Sequence, residues 1–203
     1  MKVPSAWARS HWKRVLDIAG VLLFAPFCLL LCAIIAVVIR LALGSPVLFI
    51  QERPGRGGRI FKLVKFRTMK TGEERDAERM TRLGKFLRAT SLDELPEVWN
   101  IFRGDMSWIG PRPLLVRYLL LYTPVQARRH EVRPGLSGWA QVHGRNLLSW
   151  EERFELDVWY VDHATFWLDA RVVVMTLANI VRRKGVAAEG QATMREFAGK
   201  AEK

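Results

Sequence analysis

The chain has 203 residues, half of them apolar, which is enough for one ordinary domain plus a membrane element and excludes a disordered polymer. Its 32 Lys and Arg against 20 Asp and Glu give a formal charge of +12, and with 8 Trp this suits a partner rich in phosphate, either anionic lipid or nucleic acid. Only two cysteines occur, Cys28 and Cys32, one helical turn apart in an apolar run, so a disulfide scaffold is excluded.

Residues 18 to 39 carry no charge and, as a helix, reach across about 30 Å of hydrocarbon. The run is too long for a signal peptide and passes directly into Arg40 rather than a cleavage site. Lys2, Arg9, Lys13 and Arg14 precede it and Arg40, Arg53, Arg56, Arg59 and Lys62 follow, so both flanks look cytoplasmic. A straight span puts one positive flank outside. A helix that bends at Pro26, where the backbone lacks a hydrogen bond, keeps both inside, and a re-entrant hairpin is the expected form, with a kinked span as the alternative.

Residues 47–51 and 60–67 are rich in β-branched and aromatic side chains around the turn-forming R-P-G-R-G-G-R, which predicts a β-hairpin. Residues 72–88 read as one amphipathic helix with Met80, Leu83 and Leu87 on one face, and Leu95, Val98, Trp99 and Phe102 read as the buried stripe of a second. Residues 114–122 predict a short apolar helix, Arg128, Arg129 and His130 a basic patch, and 133–145 irregular chain. Residues 151–161 and 167–183 look helical, the latter apolar before Arg182, Arg183 and Lys184 and suited to a lipid surface.

Ser91, Leu92, Asp93 and Glu94 match a capping box, S-x-x-E, so both acids have a purely structural reading at a helix start. Pro96 fits better if that helix begins nearer Asp93. Consecutive helical residues diverge by about 100°, so Asp93 and Glu94 cannot share one proton and should hold separate roles. The cations around them in sequence, Lys62, Lys65, Arg67, Arg88, Arg103 and Arg112, suggest phosphate oxygens. A carboxylate can attack phosphorus once arginines and a divalent ion neutralise the charge, which gives the second acid a metal to hold. Arg112 sits between Pro111 and Pro113 on a stiff backbone suited to a base or a phosphate. His143 and His163 have no partner at metal-ligand spacing, and Asp157 and Asp169 read as surface or capping acids, Asp169 with the alternative of a partly buried partner for an arginine.

Five motifs in order, K-R-V-L-D-I at 13–18, F-K-L-V-K-F-R-T-M at 61–69, S-L-D-E-L-P at 91–96, G-D-M-S-W-I-G-P-R-P at 104–113 and R-P-G-L-S-G-W-A-Q-V-H-G-R-N at 133–146, resemble the bacterial sugar transferases, the small monotopic phosphoglycosyl transferases. The tail E-G-Q-A-T-M-R-E-F-A-G at 189–199 is similar to the end of members that transfer N,N′-diacetylbacillosamine phosphate. The resemblance implies transfer of a sugar 1-phosphate from a UDP-sugar to undecaprenyl phosphate, with release of UMP and a requirement for Mg²⁺. It makes Asp93 the nucleophile of a phosphosugar-aspartyl intermediate and Glu94 a metal ligand, with Asp93 beside the metal. Pro111, Arg112 and Pro113 would hold the nucleotide, and Arg88, Arg145 and Lys65 the phosphates. Ala25 stands where the family often has Ser before the bending proline, Pro26 lies about one turn early, and His143 replaces a common Asn.

The expected fold is α/β and mainly α: a re-entrant helix hairpin over 1–45, a catalytic domain over 46–185 with a small β-hairpin and amphipathic helices on the membrane surface, and a tail over 186–203. The expected place is the cytoplasmic face of a bacterial inner membrane, among anionic lipids and without nucleic acid. A free apolar hairpin face also suits a homo-oligomer. UDP-galactose or UDP-N-acetylgalactosamine are alternative donors. A basic membrane-anchored binding protein without activity is the alternative of a different class.

Overall fold

The computed structural model describes residues 3–72, 75–144, 147–181 and 196–199. A short helix, α1 (Ala6–Arg9), leads into α2 (His11–Leu43), a single helix of 33 residues whose first turn is capped by the Ser10 hydroxyl accepting from Lys13 N–H at 3.1 Å. At 1.5 Å per residue α2 is about 50 Å long, and it is apolar enough to cross a membrane. Pro26 lies inside it, exposed.

One stripe of α2 faces the rest of the protein, tightly at Lys13, Asp17 and Val21, half covered at Ala25 and Cys28, and tightly again at Ile35 and Ile39. Val21 packs on Phe61, Leu63, Ile101 and Met106, whereas Ile35 and Ile39 pack on Phe66 and Leu87. Polar bonds fasten both ends. Asp17 Oδ1 accepts from Ser107 Oγ at 2.9 Å and from Trp108 N–H at 3.2 Å. At the far end Arg67 donates to the carbonyls of Leu43 at 2.6 Å and Gly44 at 2.8 Å, which satisfies the helix C-terminus. Between these anchors Leu22, Leu23, Phe24, Phe27, Leu29 and Leu30 are exposed.

Strands β1 (Leu48–Pro54) and β2 (Ile60–Phe66) pair antiparallel from Leu48 opposite Phe66 to Pro54 opposite Ile60. This is the expected hairpin. Residues 72–88 are not one helix: α3 (Asp76–Arg79) and α4 (Arg82–Ala89) are separated at Met80, which forms an isolated bridge to Met69. The Thr81 hydroxyl accepts from Gly84 N–H at 2.9 Å and starts α4 afresh. Gly84 is required there, because a Cβ would lie 1.8 Å from the carbonyl oxygen of Thr68.

Helix α5 (Glu97–Arg103) buries Glu97, Asn100 and Ile101, with Leu95 and Val98 packed beside them. The predicted stripe is therefore half wrong, since Trp99 is 55% and Phe102 44% exposed. Asn100 accounts for the rotation. Its amide donates to Lys62 O at 2.7 Å and its Oδ1 accepts from Val64 N–H at 3.1 Å, so the polar side of α5 is stitched to β2.

Residues 133–145, expected to be irregular, contain β4 (Gly135–Ser137), which runs parallel to β3 (Ser107–Ile109). The backbones meet so closely that a Cβ on Gly135 would fall 2.0 Å from Gly110 N, which explains glycine in both motifs. Residues 116–120 form a 3-10 turn, followed by α6 (Pro124–Ala127), α7 (Trp139–His143), α8 (Trp150–His163) and α9 (Phe166–Val181). The architecture is mostly helical, with one long apolar N-terminal helix and a small antiparallel hairpin.

Candidate active site

The two acids sit on a 3-10 turn, Leu92–Glu94, not in a capping box. Ser91 takes the left-handed conformation, φ 57°, and its side chain makes no cap hydrogen bond. The chain leaves α4 and reverses there, a strained geometry for a non-glycine residue of the kind that gathers at functional sites. Leu92 and Leu95 pack into the cluster around Ile39, Phe66 and Leu87, and this pins the turn. Asp93 and Glu94 are left lining a cleft of about 1530 Å³. Pro96 then stands at the N-cap of α5, where its missing N–H costs nothing.

On β2, Lys65 shares the inward face with Phe61 and Leu63, and its Nζ lies 3.0 Å from Glu94 Oε1. It also lies 2.9 Å from Glu97 Oε1, a second ion pair. Arg112 Nη2 donates to the same Glu94 oxygen as Lys65. Burial pushes the Glu94 carboxyl up, but Arg112 and Lys65 outweigh it and hold it well below the usual carboxylate range. Glu94 is thus anionic at any physiological pH.

Asp93 differs. It is 8% exposed and, among the described residues, its carboxylate accepts no hydrogen bond. Burial and the charge on Glu94 push its pKa to about 6, against the attraction of Lys65, Arg112 and Arg88. Arg88 lines the cleft and is steadied by its Nε–H donating to Thr68 Oγ1 at 3.0 Å. The result is a buried, ionisable oxygen with free lone pairs and three cations around it.

Of the residues singled out in the sequence, Asp93, Glu94, Lys65, Arg88 and Arg112 come together at the cleft. Pro111 and Pro113 are buried and absent from its lining. Arg145 lies outside the described residues. Arg67 is engaged by the C-terminus of α2, and Arg103 by Asp105 at 3.4 Å. The basic patch at 128–130 is not a patch: Arg129 is buried against Asp157, and Arg128 binds Asp162 and Glu131. Asp157 and Asp169 are both buried, Asp169 accepting from Lys13, Trp7 and Tyr160, so the surface reading of both fails.

Sequence reasoning missed Glu97, which is 2% exposed and whose carboxyl burial pushes to about 7 against the pull of Lys65. Its signal was position, three residues from Glu94 and so on a neighbouring face of the same turn.

Among the described residues no three metal-ligating side chains converge. Mg²⁺ does not need them, since it takes one or two carboxylates and completes its shell with water and substrate phosphate. Glu94 and the unpartnered Asp93 fit that donor set.

Comparison with known proteins matches residues 8–183 to the model of the bacterial sugar transferases. The chain belongs to that family. A sugar transferase of Bacillus subtilis, EpsL, itself uncharacterized, is 46% identical over 92% of this chain and 96% of its own length. The galactosyl transferase CpsE of Streptococcus agalactiae is 36% identical over 85% of this chain. The UDP-N-acetylgalactosamine-undecaprenyl-phosphate N-acetylgalactosaminephosphotransferase of Aeromonas hydrophila is 38% identical over 83%. The chain spans 43% of each of these last two proteins and nearly all of the first. Membership agrees with the enzyme class implied by the motifs, a phosphoglycosyl transferase.

Proposed function

We propose that the chain transfers a sugar 1-phosphate from a UDP-sugar to undecaprenyl phosphate and releases UMP, with Asp93 as the nucleophile. The observation that carries this reading is the Asp93 carboxylate, buried at the cleft with no hydrogen-bond donor among the described residues and ringed by Lys65, Arg88 and Arg112. A Asp93 oxygen attacks the phosphorus that bears the sugar, and the bond to the bridging oxygen breaks with its electron pair leaving on UMP. A phosphate oxygen of undecaprenyl phosphate then attacks the same phosphorus, and Asp93 departs as a carboxylate. Lys65, Arg88 and Arg112 bind and orient the phosphate oxygens, whose negative charge they offset. Mg²⁺, held by Glu94 with Asp93 beside it, would supply further neutralisation of the diphosphate when bound.

Relatives are named for glucose, galactose and N-acetylgalactosamine donors. The tail motif at 189–199, of which only 196–199 are described, supports UDP-N,N′-diacetylbacillosamine as the donor instead. A panel of these four UDP-sugars with undecaprenyl phosphate and Mg²⁺, assayed for UMP, tests reaction and donor together. No UMP from any of them, with 32P-labelled donor leaving no label on the protein, would sink the proposal and favour the binding-protein alternative.

We also propose that α2 enters the lipid and returns to the cytoplasmic face. Its two ends are bonded to the same body, Asp17 to β3 and Leu43 to the residue after β2, while Leu22, Leu23, Phe24, Phe27, Leu29 and Leu30 between them are bare. Trp99, Phe102, Trp167, Val174 and Leu177 are exposed as well and suit an interface with anionic lipid. After Cys28 and Cys32 are replaced, single cysteines placed before Lys13 and after Arg40 should both react from the cytoplasmic side of sealed vesicles. Reaction of the first only from outside contradicts the re-entrant form.

A further inference from the structure

Pro111, Arg112 and Pro113 present three consecutive carbonyls, and each accepts a hydrogen bond from a different part of the chain. Gly135 N–H donates to Pro111 O at 3.0 Å, Arg129 Nη2 to Arg112 O at 2.7 Å, and Arg53 Nη1 to Pro113 O at 3.3 Å. The first belongs to the β3–β4 crossing. The second is the most deliberate, because its donor is a guanidinium that is 2% exposed and does not line the cleft.

Arg129 is held on every side. Asp157 Oδ2, on α8, accepts from its Nε at 3.1 Å and its Nη2 at 2.7 Å, and the Tyr122 hydroxyl accepts from Nη1 at 3.3 Å. The Tyr122 and Phe154 rings lie 5.8 and 5.6 Å from the guanidinium carbon. A buried ion pair is weak evidence of stability, since apolar replacements of similar volume are often neutral or better. What this pair does that an apolar pair would not is send one N–H to the carbonyl of Arg112.

We propose that Arg129, fixed by Asp157, is a positioning residue for Arg112. This rests on reading the cleft as the site of sugar-phosphate transfer. Proline rings fix φ at 111 and 113, and the ring of Pro113 restricts Arg112 to extended conformations. Within that region φ and ψ of Arg112 keep some play, and ψ carries the orientation of its carbonyl. Binding that oxygen from behind sets the direction in which the Arg112 side chain leaves the backbone, toward Glu94 and the cleft. Arg129 touches no reacting atom and acts through Arg112 alone.

The test is a double-mutant cycle on the full-length protein in lipid nanodiscs, with the donor the wild type turns over and with UDP plus MgCl₂ as the binding probe. Arg129→Met with Asp157→Leu removes the pair and keeps the volume apolar. In the wild-type background kcat/KM should fall about tenfold, mostly through KM, and UDP affinity should weaken by a similar factor. In the Arg112→Ala background the same change should cost less than about twofold, because the group it positions is gone. Equal losses in both backgrounds, or no loss in a folded double variant, overturn the proposal. If the apolar pair unfolds the protein, Arg129→Lys is put through the same cycle with the same criteria, since an ammonium can meet Asp157 but lacks the fork that also reaches the carbonyl. A wild type that neither binds UDP nor releases UMP overturns the functional reading itself, and this proposal with it; a wild type that does both isolates the positioning claim.

Discussion

Two charged regions of this protein are built from the same residue types and do opposite things. In one, away from the turn that bears Asp93 and Glu94, Lys13, Trp7 and Tyr160 all donate to Asp169, and Arg129 meets Asp157. There both of these buried carboxylates have donors matched to them. In the other, on the 3-10 turn, Glu94 takes two cations on one oxygen while Asp93, its neighbour, takes no hydrogen bond among the described residues. A fold satisfies its buried charges unless something else is meant to satisfy them. Asp93, which lines the cleft as the similarly unmatched Glu97 does not, marks where substrate belongs, and the matched carboxylates mark the frame that holds it.

The widest separation between the regions should appear in Asp93→Asn. Activity should fall at least about 10³-fold, because an amide is a poor nucleophile toward phosphorus. Stability should stay or rise by about 1 kcal/mol, because a carboxylate without a donor is replaced by a neutral group of the same size. UMP release and thermal melting on one preparation check both. A variant that loses stability along with activity would place Asp93 in the frame and dissolve the contrast.

Asp157→Asn should act first on stability. It leaves Arg129 buried without its counter-charge, which costs about 3–5 kcal/mol when one partner of a buried pair is removed. Denaturant unfolding reads that loss directly, and restoring Asp at 157 restores it. If Asp157→Asn unfolds no more easily than the wild type, the pair is not part of the frame.

The sequence carried the site better than the frame. S-L-D-E-L-P and G-P-R-P were legible because proline and adjacent acids constrain chemistry locally, and the hairpin was legible because β-branched residues flank a turn. Arg129 and Asp157 were not, since their pairing lies 28 residues apart and each alone reads as a solvated charge. The spacing of Phe154, Asp157, Tyr160 and Val161, all on one buried face of α8, was the available hint. Trp99 and Phe102 misled for the opposite reason. Apolar periodicity marks a face that avoids water, and on a chain with a long bare apolar helix that face can meet lipid as readily as core.

A smaller effect probes the electrostatics of Asp93 itself. Burial and Glu94 raise its pKa to about 6, so the nucleophilic carboxylate predominates above that pH and is lost as pH falls through it. Since kcat/KM reports groups of the free protein, it should drop about tenfold between pH 7.5 and pH 5. Glu97, raised to about 7 mainly by burial, titrates in the same window but faces Lys65 rather than the substrate. Glu97→Gln should therefore leave an acid limb near pH 6. If that limb vanishes with Glu97, the titration belongs to the acid beneath Lys65, and Asp93 is as fully ionised in the resting protein as Glu94 beside it.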